Sequence, residues 1–144
     1  MESVFLNAGE LIFSEEPIIV KTILGSCVSV ILYDKLKKSG GMCHYIIPQN
    51  YNKNYSVKFG DVAVPYLINK FIKSGSKIFN LEASVFGGAF MLDIEDTIFF
   101  TGDRNTEIAL KYIDYYKIKI IEIDTGGTKG RKLTFNTGTG EINC

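Results

Sequence analysis

Only two stretches of this 144-residue chain carry the 3.6-residue periodicity of a surface helix, while short apolar runs bounded by Gly, Pro and Asn recur from end to end. A chain patterned this way cannot be a helical bundle, and its two helices must lie against sheets. In the first helical stretch, Asp61 to Ser74, the residues Val64, Leu67, Ile68, Phe71 and Ile72 share one side, with Asn69, Lys70 and Lys73 opposite. Asp61 is placed to cap its start, Pro65 falls early enough to be tolerated, and Gly75 suits a left-handed stop. The second helix is expected to start at Asn105 as N-cap and run to about Tyr116, turning Ile108, Ala109, Tyr112, Ile113 and Tyr116 inward.

Strands are expected at Ile18 to Val20, Val28 to Tyr33 and Met42 to Ile47, the last stopped by Pro48. The second and third of these form a hairpin around the basic, Gly-ended loop DKLKKSGG. Phe79 to Val85 alternates apolar and polar residues as a half-buried strand does, and FGGA (Phe86 to Ala89) breaks it. Thr97 to Thr101, Ile118 to Ile123 and Lys132 to Phe135 read as further strands, with DTGGTKG as a turn and a closing hairpin through TGTGE. The pattern predicts an α+β fold with sheets covered on one side by helices. With no repeat, linker or low-complexity run, one domain over residues 1–144 is expected.

Composition narrows the function classes. Apolar residues make up 46% and charged residues 22%, which excludes a disordered chain. Sixteen Lys and Arg balance sixteen Asp and Glu, so there is no general field to attract a polyanion, and nucleic acid is disfavoured as a partner. MESVFLNAGELIF has neither a basic n-region nor an apolar h-region, and no run approaches the 18 or so apolar residues of a membrane span, so a soluble, cytoplasmic protein is expected. Three Cys cannot all pair within one chain, and reduced thiols are the expected state.

With a single imidazole, His44, any His-dependent chemistry must use it. Taken alone, His44 in an apolar strand reads as a structural residue and Cys27 as packing. Together they are more specific. Cys27 follows Leu24-Gly25-Ser26 at a tight turn feeding a strand, where a small-residue bend can leave a side chain facing a cleft. If the hairpin closes symmetrically about Lys37 and Lys38, Cys27 lies opposite Pro48 and shares a sheet face with His44 and Ile46, offset along the ladder. A bulge at Gly40-Gly41 would shift that register. An imidazole meeting the thiol would lower its pKa and hold a thiolate able to attack a carbonyl, the chemistry of a Cys hydrolase or acyltransferase.

Cys43 is a poor rival, since neighbouring strand residues point to opposite faces, and Cys144 reads as a frayed chain end. One His and no CxxC pair argue against zinc. The Gly-rich pieces at Asp124 to Arg131 and Thr137 to Gly140 lack a phosphate-loop pattern and read as turns between strands, and Arg104 with Asn105 reads as a helix cap rather than an anion site.

The strings TILGSCVSVILYD (Thr22 to Asp34), GGMCHYIIP (Gly40 to Pro48), FGGAFM (Phe86 to Met91), TGDRN (Thr101 to Asn105) and DTGGTKGRKLTFNTGTGE (Asp124 to Glu141) resemble, in order and spacing, the CheD family of bacterial chemoreceptor glutamine deamidases. The resemblance covers nearly the whole chain, and LGSC followed by a GGM-x-H strand is its specific part. It implies a compact, layered, β-sandwich-like fold similar to Cys–His deamidase toxin domains, and an amidohydrolase that turns selected glutamines of methyl-accepting chemotaxis receptors into glutamates with release of ammonia. By the same resemblance, Cys27 matches the nucleophile, His44 the base, and a threonine upstream of the nucleophile orients the imidazole. Thr22 stands five residues before Cys27, while some relatives carry the threonine six before, where this chain has Lys21.

Backbone amides near Ser26 and Cys27 are expected to stabilise the oxyanion, with no metal or organic cofactor needed. The resemblance equally implies a partner, a CheC-type phosphatase, and leaves open a non-catalytic adaptor role. Cys27→Ala separates the two, abolishing hydrolysis while leaving partner binding nearly unchanged.

Overall fold

The computed structural model describes residues 1–49, 55–90 and 101–144. Among these residues, nine strands and two α-helices follow in the order β1 (Ser3–Phe5), β2 (Glu10–Ser14), β3 (Ile19–Leu24), β4 (Val28–Asp34), β5 (Ser39–Tyr45), α1 (Gly60–Lys73), β6 (Leu81–Gly87), α2 (Thr101–Tyr115), β7 (Lys119–Thr125), β8 (Arg131–Asn136) and β9 (Ile142–Asn143). They form a five-stranded mixed sheet, β2-β5-β4-β6-β7, and a four-stranded mixed sheet, β1-β3-β8-β9. The α+β class with two helices is as the sequence pattern predicts, and the layering of two sheets is as the resemblance implies.

Strand parity divides the core in two. Val28, Val30 and Leu32 of β4, Cys43 and Tyr45 of β5, and Leu81, Ala83 and Val85 of β6 pack against α1 and α2. Ile31, Met42 and Phe86, from the other face of the same strands, pack against Val20, Leu24, Leu133 and Phe135 of the smaller sheet. The large sheet is therefore covered on both sides, by helices and by a second sheet. For this reason β4, β5 and β6 are almost wholly buried, whereas the alternation in the sequence suggested a half-buried β6.

Several expectations are corrected. Phe79 lies in a 3-10 turn, Ile78–Asn80, and is 79% exposed; the strand starts at Leu81. Helix α1 starts at Gly60 without a side-chain cap, because the carbonyls of Ile47 and Pro48 accept the N–H groups of Gly60 and Asp61. Ile72 is exposed on it.

Helix α2 starts at Thr101, so Asn105 is inside it rather than at its cap. Gly102 inside it is there for space: a Cβ would sit 2.5 Å from the Gly88 carbonyl oxygen. Of the strand expected at Thr97 to Thr101, residues 97–100 lie outside the described residues and Thr101 opens α2. Strands β1 and β2 carry no strong sequence signal, since both are partly exposed edge strands.

The β4–β5 hairpin decides the site. It turns at residues 35–38 and pairs Asp34 with Ser39, so Ser29 lies opposite His44 and Val28 opposite Tyr45. The pairing differs by two residues from closure about Lys37 and Lys38, and it runs through Gly40 and Gly41 without the bulge considered above. Gly40 serves packing instead, since a Cβ there would be 2.7 Å from the Phe135 ring. An even shift preserves the face of every side chain. It also halves the offset between Cys27 and His44, because continuing the register by one pair sets Cys27 opposite Ile46 instead of Pro48.

Candidate active site

The segment Gly25-Ser26-Cys27 is where the chain leaves the small sheet at the end of β3 and enters the large sheet at the start of β4. A corner between two sheets has no ladder partners of its own, so its backbone groups must be satisfied from elsewhere. All three carbonyls are. Gly25 accepts from the Ala89 N–H at 3.0 Å, Cys27 from the Gly88 N–H at 2.9 Å, and Ser26 from the Asn105 side-chain Nδ2 at 3.2 Å. Among the described residues no acceptor takes the N–H of Ser26.

The FGGA segment reaches Cys27 because of its glycines. Gly87 has φ +107° and a Cβ on it would be 2.2 Å from the Cys27 carbonyl oxygen, while Gly88 has φ +63°. The DTGGTKGR turn supports them in turn: the Gly126 N–H donates to Gly87 and the Phe90 N–H to Gly127. The Arg131 guanidinium donates to the Gly126 carbonyl at 2.9 Å, to that of Gly87 at 3.3 Å, and to Asp124 Oδ1 at 3.1 Å. These Gly-rich pieces are turns, as expected, and one of them buttresses the Cys27 corner.

His44 lies on the inter-sheet face of β5, and the Cys27 side chain packs against the inter-sheet core on the same side. From the small sheet, Thr22 of β3 points inward between Val20 and Leu24 and meets the imidazole, with Oγ1 2.7 Å from His44 Nδ1. Thr22 is 1% exposed and His44 3%. Lys21, the alternative position, is exposed because the adjacent strand residue must face the other way. By the same parity Cys43 packs under the helices, its thiol pushed up to about 12 by burial, and Cys144 is exposed beside Asp124.

One proton count fixes the imidazole. The Thr22 hydroxyl has a single hydrogen, and it donates that hydrogen to the Leu6 carbonyl at 2.7 Å. Toward His44 the hydroxyl can then only accept, so Nδ1 carries the proton and the neutral ring keeps its lone pair on Nε2. Burial pushes His44 down from its ordinary value, partly opposed by Glu10, its cross-strand neighbour. Burial pushes the Cys27 thiol up, against a smaller lowering by its own backbone N–H. Burial thus favours the thiol and the neutral imidazole as the resting forms. Such a pair activates its sulfur by proton transfer during attack rather than by storing a thiolate.

Asn105 reads from the sequence as a cap, since an Asn at a predicted helix start can satisfy free N–H groups there. It is fully buried in α2, and its Nδ2 donates to Ile46 at 3.0 Å as well as to Ser26. Among the described residues no three His, Cys, Asp or Glu side chains converge as a metal centre requires, and no helix is long and apolar enough to cross a membrane.

Known proteins with this sequence pattern are numerous. A family model described as CheD chemotactic sensory transduction matches residues 46–144, a stretch that begins just after His44. The probable chemoreceptor glutamine deamidase CheD 1 of Anaeromyxobacter dehalogenans is 38% identical over 137 residues, spanning 95% of this chain and 80% of its own. That of Clostridium novyi is 40% identical over 124 residues, spanning 83% and 76%, and that of Rhodospirillum rubrum is 34% identical over 142 residues, spanning 99% and 81%.

Among solved structures, Bacillus licheniformis hypothetical protein YfiH shares the fold, with a TM-score of 0.55 at 13% identity over 79% of this chain. The chain spans about half (49%) of that protein's length. Sequence identity maintained over nearly the full length of several curated relatives, together with the family-model match, establishes that the chain belongs to the CheD family.

Proposed function

We propose that this chain is a chemoreceptor glutamine deamidase, with residues 1–144 working as one domain. Cys27 is its nucleophile, His44 its proton carrier and Thr22 the residue that orients the imidazole. The observation that carries the reading is the hydrogen bond from His44 to Thr22 across the two sheets, which leaves Nε2 basic on the face that Cys27 shares. The printed names of the relatives, probable chemoreceptor glutamine deamidases, supply the substrate class.

In the first half-reaction the Cys27 thiol proton moves to His44 Nε2 as Sγ bonds to the carboxamide carbon of a receptor glutamine. The tetrahedral oxyanion is stabilised by the N–H groups of Ser26 and Cys27, whose carbonyls are tied back by Asn105 and Gly88. Collapse breaks the C–N bond, His44 returns its proton to the departing nitrogen, and ammonia leaves behind a thioester. Water then attacks the thioester carbon and gives a proton to His44. Expulsion of the sulfur takes that proton back, regenerating the thiol and releasing glutamate. No outside oxidant or cofactor enters the balance.

Incubation with a receptor cytoplasmic fragment, followed by mass spectrometry, tests the reading. Individual glutamines should convert to glutamate with one ammonia released per conversion, and Cys27→Ala should abolish both. Persisting conversion by Cys27→Ala would remove Cys27 from the role. Peptide cleavage or amine incorporation instead of ammonia release would change the reaction class.

A further inference from the structure

We propose that Asn105 is a positioning residue that sets the spacing between Cys27 and His44. The inference rests on the Cys27–His44 reading and adds a residue to it. Strands β4 and β5 pair as far as Val28 opposite Tyr45, and there the ladder stops. The next pair would be Cys27 opposite Ile46, so the nucleophile stands just beyond the last β4–β5 ladder pair. The Asn105 amide spans that gap. One NH2 group has two hydrogens, and Nδ2 is within hydrogen-bond distance of both the Ser26 carbonyl, at 3.2 Å, and the Ile46 carbonyl, at 3.0 Å. Ser26 is bonded to the Cys27 nitrogen, and Ile46 follows His44 by two residues. A single side chain thus ties both ends of the dyad to one point on α2.

Three further observations favour a functional reason for the amide. Asn105 is fully buried in the first half of a helix, where Asn is a poor helix former. Its Oδ1 is buried with no partner among the described residues, an uncompensated acceptor that packing alone would not retain. Its backbone carbonyl also accepts from the hydroxyl of Tyr45, the residue after His44, so the same point of α2 holds β5 twice. The bond to Ser26 also holds that carbonyl, and with it the plane of the Ser26–Cys27 peptide.

The test uses the full chain carrying Cys144→Ser, so that iodoacetamide reports on Cys27 while Cys43 stays buried. Asn105→Ala removes both bonds, Asn105→Asp replaces the donors with acceptors facing two carbonyls, and Asn105→Ser keeps one donor. Ala and Asp are expected to lower kcat ten- to a hundredfold with KM within twofold. They should also shift the pH dependence of Cys27 alkylation to that of His44→Ala, while Ser falls between.

Unchanged kcat and an unchanged alkylation profile in a folded Ala or Ser variant would overturn the proposal. So would a lowered melting temperature with kcat intact, which is what a merely structural role gives. If Ala and Asp do not fold, the Ser variant decides by the same readouts. Should His44→Ala leave Cys27 alkylation unchanged in the Cys144→Ser parent, the dyad itself fails, a result distinct from failure of Asn105.

Discussion

Replacing Thr22 with Val removes one hydroxyl and little else, because the two side chains have nearly the same shape. The hydroxyl makes two bonds at 2.7 Å, one given to the Leu6 carbonyl and one received from His44 Nδ1–H. Without it the Nδ1–H tautomer holds a proton that faces a methyl group and has no acceptor, at a residue only 3% exposed. An unpaired buried donor costs about 1–3 kcal/mol, so the ring shifts toward the tautomer protonated on Nε2, which cannot act as base. At roughly 1.36 kcal/mol per tenfold, kcat should fall roughly 5- to 150-fold with KM little changed. The orphaned Leu6 carbonyl adds a stability loss of about 1 kcal/mol.

Because the chain has one His, the ring nitrogens of a 15N-labelled sample can be read without assignment. Nδ1 should be protonated and Nε2 bare in the parent, and the two should exchange character in Thr22→Val. Thr22→Ser, which keeps the hydroxyl, should restore the parent pattern and most of kcat. A Val variant that keeps the Nδ1–H tautomer with kcat within twofold of the parent would refute the reasoning.

The remaining expectations concern pH and the supports of the Cys27 corner. Since burial holds His44 below 6.5 and Cys27 above 9.0, kcat/KM should be flat between those values and fall as pH drops through the lowered His44 value; an acidic limb above 6.5 would contradict this. The unfolded chain binds the His44 proton at its ordinary value, so the contribution to stability is present above about 6.5 and is lost as pH falls toward the folded value, which melting against pH can check. Gly87→Ala drives a Cβ to 2.2 Å from the Cys27 carbonyl oxygen at φ +107°, and should cost on the order of 2–3 kcal/mol in denaturant titration along with most activity. Arg131→Ala should loosen the turn that supports Gly87 and lower kcat, whereas Asp124→Asn, which removes only the exposed partner of Arg131, should change stability by less than about 1 kcal/mol.

The residues differ in how far the sequence could take them. Cys43 is excluded from His44's face by parity alone, and the two-residue register difference leaves that untouched. Helix α1 is legible because its buried residues Val64, Leu67, Ile68 and Phe71 recur within one short window. Asn105 is not legible, because an Asn near a helix start has a local explanation, the cap, while its true partners are 79 and 59 residues away in sequence. Arg131 and the Gly126-Gly127 turn are read correctly as a turn, but their support of Cys27 runs through Gly87, 44 residues from Arg131.

By itself the sequence determined the class of the fold, the placing of Cys27 and the single His44 on one sheet face, and the family resemblance. These depend on periods of two and 3.6 residues and on short motifs, which are properties of local stretches. Tertiary structure alone decided the register that sets Cys27 opposite Ile46, the contact of Thr22 rather than Lys21 with the imidazole, the proton on Nδ1 and the bonds from Asn105 to Ser26 and Ile46. Each of these depends on which strand of one sheet faces which strand of the other. That is settled by burying side chains distant in sequence, where local pattern carries no information.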